Sequence, residues 1–173
     1  TTVSGPLVFE LDETDQAAKK REELVKQGTE SLERAILLQR ENLRKVTQLR
    51  DALAGSTPEQ WEETAKKQEE IRQAVRLLLE RGGGRSLGNL VPTVKKLYLN
   101  ELHEVIPALR AVPDAGGTAE KDRQAGKALS MQEKILRQLT FAGESAAKAQ
   151  ENQGTSSLIG MLDGILTGQA KIV

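Results

Sequence analysis

The sequence of 173 residues contains no cysteine and few aromatic residues, with one Trp, one Tyr and two Phe. The lack of cysteine excludes disulfides and thiolate metal sites. The scarcity of aromatic residues means that a core must be built from Leu, Ile, Val and Ala. A chain of this length fits one domain that buries a sizeable core.

The sequence also lacks an excess of charge of either sign, because 25 basic residues balance 25 acidic ones. Nucleic-acid-binding proteins usually carry a basic excess, so the composition argues against a nucleic-acid partner. No apolar run approaches the roughly 20 residues that span a bilayer. Balanced and interspersed charge is instead typical of the exposed faces of a helical bundle.

The sequence does contain a regular apolar pattern between residues 24 and 53. Its members are separated alternately by four and three positions: Leu32, Ile36, Leu43, Val46 and Leu53, with Gln39 and Arg50 filling the two gaps. This is the heptad pattern of a coiled-coil helix that buries one seam against other helices. One helix cannot cover such a seam alone, so later segments must pack beside it.

The first residues, TTVSGPLVFEL, are compatible with extended backbone, and Gly5-Pro6 is expected to break a helix. For residues 1–12 we predict an extended arm on the bundle or, alternatively, the last strand of a preceding β-domain. Residues 13–173 are predicted to form the helical bundle. Because the chain begins with Thr1, we expect it to be a piece of a longer polypeptide.

The first helix is predicted to end near Ala54, with Gly55 as a C′ glycine. Gly28 is interpreted as a tolerated interior glycine, and a close helix approach at this position is the alternative. A capping box, Thr57 with Gln60, then starts the second helix, which is expected to end at Arg81. Trp61 is expected to cover the end of the core, and an exposed binding anchor is the alternative.

The remaining helices are predicted from breaks and apolar stretches. The three glycines of residues 82–84 form a corner, and residues 86–112 form a very apolar helix in which Pro92 marks the first turn and Pro107 a kink or end. A fourth helix runs over residues 118–152. Gly154 is expected to stop it, and a last short helix follows through Leu166.

These lengths favour an all-α fold, an elongated antiparallel four-helix bundle. The alternative is a three-helix, spectrin-like bundle in which the second and third helices run end to end through the glycine corner.

The sequence offers little support for a catalytic, metal-binding or phosphate-binding site. His103 is the sole histidine, and it lacks the second histidine of a helical zinc motif. The glycine triplet is not followed by the Lys-Ser or Lys-Thr of a phosphate-binding loop. We therefore predict no enzymatic activity, no catalytic residue, no metal, no cofactor and no small-molecule substrate.

The last apolar segment is the candidate interaction surface, because glycines every four residues let helix backbones approach closely. Its residues are Leu158, Ile159, Gly160, Met161, Leu162, Gly164, Ile165, Leu166 and Gly168. Packing of this segment onto the bundle is the first interpretation. As an interaction surface, it is expected to bind a protein partner or a second copy of the chain, and a membrane surface is the alternative partner.

The segment Gly-Pro-Leu-Val-Phe-Glu-Leu, followed by a long helix rich in Glu, Leu, Arg and Gln, carries a resemblance. In composition, the first sixty or so residues resemble the helical region after immunoglobulin-like modules in large, uncharacterised envelope proteins of planctomycete-type bacteria. The resemblance implies a scaffold or interaction module outside the cytoplasm, and it supplies no functional residues.

Taken together, these observations predict a non-catalytic helical scaffold or protein–protein interaction module within a larger assembly. The alternatives are a membrane-surface protein that acts through the last helix, and a helical sensor or receptor bundle with a ligand cleft.

Overall fold

A computed structural model describes the backbone of residues 4–81 and 86–172 and the side chains of residues 15–81 and 86–149. The predicted glycine corner, residues 82–84, lies outside the described residues. Within the described residues, five α-helices are given bounds: α1 (Ser4–Asp51), α2 (Pro58–Glu80), α3 (Val91–Leu99), α4 (Glu101–Ala111) and α5 (Thr118–Ile172). Short 3₁₀ turns, Leu53–Gly55 and Gly88–Leu90, precede α2 and α3.

The helices form four rods in a ring, in which α3 and α4 together make the third rod. α1 packs against α2 and α5, and the third rod packs against the same two helices from the other side. Between neighbouring helices, a higher residue number on one helix contacts a lower number on the other. On α1 and α5, for example, Arg50 contacts Asp122 and Ile36 lies against Gly143. The antiparallel four-helix bundle is therefore confirmed, and the end-to-end, three-helix alternative is wrong.

The third rod is broken at Asn100 rather than at Pro107. The backbone of Asn100 leaves the helical region (φ −106°, ψ −87°), and its carbonyl accepts bonds from the N–H groups of both His103 and Glu104. Pro107 lies inside α4, whereas Pro92 occupies the first turn of α3 as predicted. The predicted single helix over residues 86–112 is thus two helices.

The buried seam of α1 is rotated from the predicted one. Its buried positions are Leu32, Ala35, Gln39, Asn42, Val46 and Leu49. Ile36, Leu43 and Arg50 are only half-buried. Because α1 packs against two neighbouring helices, its covered stripe is wider than one heptad seam, and both series of positions lie within it.

Both ends of the chain differ from the prediction. α1 already begins at Ser4, so the extended arm expected over residues 1–12 is wrong for its described part. A proline is tolerated in the first turn of a helix, because the N–H that it lacks would have no acceptor within the helix. α5 continues without a break to Ile172, so the separate last helix is wrong. A single interior glycine such as Gly154 costs about 1 kcal/mol, which is too little to end a long helix.

The turn between α1 and α2 closes one end of the bundle. The side chain of Thr57 accepts from the Gln60 N–H (3.3 Å), and Gln60 accepts from the Thr57 N–H (2.9 Å), which confirms the capping box. Trp61 is 1% exposed and donates to Ser56 Oγ at 3.0 Å, so it covers the core as predicted. Gly55 ends a 3₁₀ turn without a left-handed backbone.

Three helical glycines mark close approaches between rods. A methyl group at Gly28 would lie 2.6 Å from Ser86 Oγ, and one at Gly143 would lie 3.0 Å from Ile36 Cδ1. One at Gly126 would lie 3.0 Å from the Arg50 guanidinium. Gly28 is therefore a site of close packing, and the expectation of a merely tolerated glycine is wrong.

Candidate functional site

A groove with a volume of about 970 Å³ crosses the outer face of α2 between α1 and α4. Charged side chains, among them Arg34, Glu69 and Arg110, line it together with apolar ones. Arg110 of α4 donates to both Glu62 oxygens, at 3.1 Å in the shorter contacts, and to Glu69 of α2 at 3.1 Å. These bonds lower the pKa of the Glu62 carboxyl, mainly through the hydrogen bond from Arg110.

The side of α2 that faces the third rod carries a cation–π contact. The Arg72 guanidinium lies over the Tyr98 ring, with its carbon 4.4 Å from the ring centre. Such a contact contributes about 0.5–1 kcal/mol at a partly exposed site. Arg72 Nε is buried and has no hydrogen-bond acceptor among the described residues. The contact joins α2 to the third rod, so its role here is structural.

The groove has few of the features of a reaction centre. His103 lines it but is exposed, and no group of three His, Cys, Asp or Glu side chains within the described residues could hold a metal ion. A general acid needs a raised carboxyl pKa, yet the shifts of Glu62 and Asp122 are downward and follow from hydrogen bonds with Arg110 and Arg50. At Glu101, burial raises the pKa, but the hydrogen bond from Lys134, a backbone hydrogen bond and the charges of Lys134 and Lys96 together outweigh it, and the pKa is lowered.

The second distinctive feature is a layer of buried polar side chains in the middle of the bundle, here called the amide layer. It comprises Gln39 and Asn42 of α1, Thr64 and Gln68 of α2, and Gln132 of α5. All are at most 3% exposed. Burying an amide without hydrogen-bond partners costs free energy, so the side chains of this layer need partners inside the bundle.

Gln68 lies at the centre of these hydrogen bonds. Its Oε1 accepts from Asn42 Nδ2 at 3.0 Å and from Gln132 Nε2 at 3.2 Å, while its Nε2 donates to Gln39 Oε1 at 2.6 Å. Asn42 Nδ2 also donates to the Thr64 carbonyl at 3.0 Å. Gln132 Oε1 is the one buried acceptor in the layer without a partner among the described residues.

The heptad pattern of the first helix had placed Gln39 on a buried seam, whereas Asn42, Thr64 and Gln68 were missed. The available signal was spacing: Gln68 precedes Ile71, Val75 and Leu78 at heptad intervals, and Asn42 does the same before Val46 and Leu49. Because these residues are polar, they were expected on the surface. Their burial is possible because they form hydrogen bonds with residues from distant segments.

The predicted interaction residues, Leu158 to Gly168, lie in the backbone of α5. Their side chains and contacts are outside the described part of the chain. On the described bundle, large exposed apolar side chains occur singly on four different helices: Leu37 (57%), Leu77 (40%), Leu99 (56%) and Phe141 (59%). Scattered apolar residues of this kind are ordinary surface features and do not make a docking patch.

The chain matches no protein-family model, no curated protein and no solved structure. In the part of the chain that was described, no helix is both long and apolar enough to cross a membrane.

Proposed function

We propose that the chain is a non-catalytic helical module that binds a protein partner or a second copy of itself within a larger assembly. The observation that carries this proposal is the unequal length of the rods. α1 and α5 have 48 and 55 residues, whereas α2 has 23. The bundle thus presents two long helices whose ends run past the shorter ones.

The position of Gly28 shows where the shorter rods end. This residue of α1 faces Leu78, near the end of α2, and Ser86, just before the third rod. α1 begins well before that level, and the side chains of residues 15–23 are exposed. Long antiparallel helices that project from a bundle suit a spacer or an attachment arm in an assembly.

The apolar segment in the last turns of α5 is our candidate for the binding surface. The sides of the described bundle carry only scattered apolar residues, whereas Leu158, Leu162 and Ile165 are concentrated in one stretch of sequence. The location of this assembly in the cell envelope remains a prediction from compositional resemblance.

The test replaces Leu158, Leu162 and Ile165 together by alanine in the full chain. We expect the triple variant to lose self-association, measured by light scattering coupled to size exclusion, or capture of a partner. The matched control is the double variant Leu37→Ala and Phe141→Ala, which removes exposed apolar side chains from the bundle itself. A wild-type chain that is strictly monomeric and captures no partner would contradict the proposal.

Vesicle co-sedimentation with the same variants separates protein binding from membrane binding. A partner-binding module predicts equal, low binding of wild type and triple variant to anionic vesicles. Binding by the wild type alone would instead favour a membrane-surface role for the segment.

A further inference from the structure

The apolar stripe of α5 and its close approaches at Gly126 and Gly143 set its register along the bundle only in part. Within residues 118–149, the part of α5 whose side chains are described, the buried apolar positions apart from Leu129, Ile135 and Leu139 are alanines: Ala125, Ala128, Ala142 and Ala146. With small, similar side chains at heptad spacing, the packing free energy differs little between the correct register and one displaced by seven residues, because the packing pattern repeats every heptad.

The register of α1 against α2 does not have this problem. The two helices are joined by a short turn that the capping box of Thr57 and Gln60 and the buried Trp61 hold in place. A slip of α1 along α2 would have to break that turn. α5 is tied to α4 by the short turn 112–117 and by a hydrogen bond from Gln124 Nε2 to the Ala108 carbonyl, whereas the capped turn acts only on the α1–α2 pair.

Among the described side chains, one buried hydrogen bond between side chains connects α5 to the α1–α2 pair. Gln132 Nε2 of α5 donates to Gln68 Oε1, the atom that also accepts from Asn42 of α1. From these contacts we infer that the Gln132–Gln68 hydrogen bond is a register lock, which sets the axial position of α5 on the α1–α2 hairpin. A slip by one heptad would leave the buried Gln132 amide opposite apolar side chains.

The amide layer is costly, which supports specificity rather than stability as its role. Gln132 Oε1 has no partner among the described residues, and a buried acceptor without a donor is unfavourable. Single buried polar residues in coiled coils are known to fix register in this way at the expense of stability.

The test uses the full chain with spin labels at Thr47 of α1 and Lys127 of α5, two exposed positions at neighbouring levels of the bundle. Because the chain has no cysteine, two introduced cysteines are labelled without background. We expect one distance in the otherwise native chain. In Gln132→Met, we expect a second population displaced along the helix axis by about 10 Å, the rise of seven residues, with no loss of thermal stability.

Leu129→Met is the matched control, since it changes a buried residue of the same stripe and leaves the hydrogen bond intact; its distance should stay single. An unchanged single distance in Gln132→Met would overturn the inference. If Gln132→Met does not fold, the triple variant Q39M/Q68M/Q132M, in which apolar methionine replaces all three glutamines, is measured instead. The same criterion applies to it.

Discussion

The two interfaces of α1 are built in opposite ways. Against α2, α1 presents amides that interlock with Thr64 and Gln68 through buried hydrogen bonds. Against α5, it presents Ile36 and Arg50, which lie over Gly143 and Gly126. One interface is specified by polar pairing, and the other by close approach of backbones and by an exposed ion pair between Arg50 and Asp122.

This difference explains why α1 has two overlapping heptad series. The series through Ala35, Asn42 and Leu49 is buried in the interior, and the series through Ile36 and Arg50 covers the glycines of α5. A helix in a four-rod ring has to satisfy two neighbours, so a single-seam interpretation captures only half of its packing.

Loss of the central amide should have the largest effect on the polar interface. In Gln68→Ala, the donors on Asn42 and Gln132 lose their shared acceptor, and Gln39 Oε1 loses its donor. At about 1 kcal/mol for each bond, we expect a loss of about 3 kcal/mol in the free energy of unfolding, and the cavity adds to it. Urea unfolding followed by circular dichroism measures this, with the exposed Gln73→Ala as control. A change below 1 kcal/mol would show that the layer is not hydrogen-bonded as described.

The glycine interface should respond to added volume instead. Gly143→Val places methyl groups against Ile36, and we expect a loss of about 2 kcal/mol in stability from overpacking. The double variant with Ile36→Ala should recover part of that loss, because the alanine removes the opposing Cδ1. Strict additivity of the two substitutions in a double-mutant cycle would mean that the side chains do not meet.

The smallest effect belongs to the exposed ion pair. The hydrogen bond from Arg50 lowers the pKa of the Asp122 carboxyl. Its contribution is present above the ordinary aspartate pKa of about 4 and is lost as the pH falls through the folded value. Asp122→Asn should therefore slightly lower the melting temperature at pH 7 and flatten its decline below about pH 4. Parallel melting curves for variant and wild type across this range would count against the pair.

Local signals in the sequence predicted the features that depend on neighbouring residues. The capping box at Thr57, the first turn at Pro92 and the burial of Trp61 follow from short-range chemistry and are confirmed. Features set by contacts between distant segments were missed. Gly28 matters because Ser86 returns beside it, and Gln68 is buried because Gln39 and Asn42 pair with it.

At the ends of the long helices, local signals in the sequence predicted breaks that the helices do not have. Gly5, Pro6 and Gly154 were given too much weight as breakers, although one glycine costs about 1 kcal/mol and a first-turn proline costs little. The candidate interaction segment, Leu158 to Gly168, was identified from spacing alone, and its role stays a prediction.

The central claim is that the chain reverses after α2, so that the third rod lies beside it. Spin labels at Gln73 of α2 and His103 of α4, both exposed and lining the same groove, test this directly. The four-rod ring predicts one short distance, since neighbouring helix axes lie about 10 Å apart. Helices joined end to end would place the two positions about 45 Å apart at 1.5 Å per residue, and that result would contradict the account.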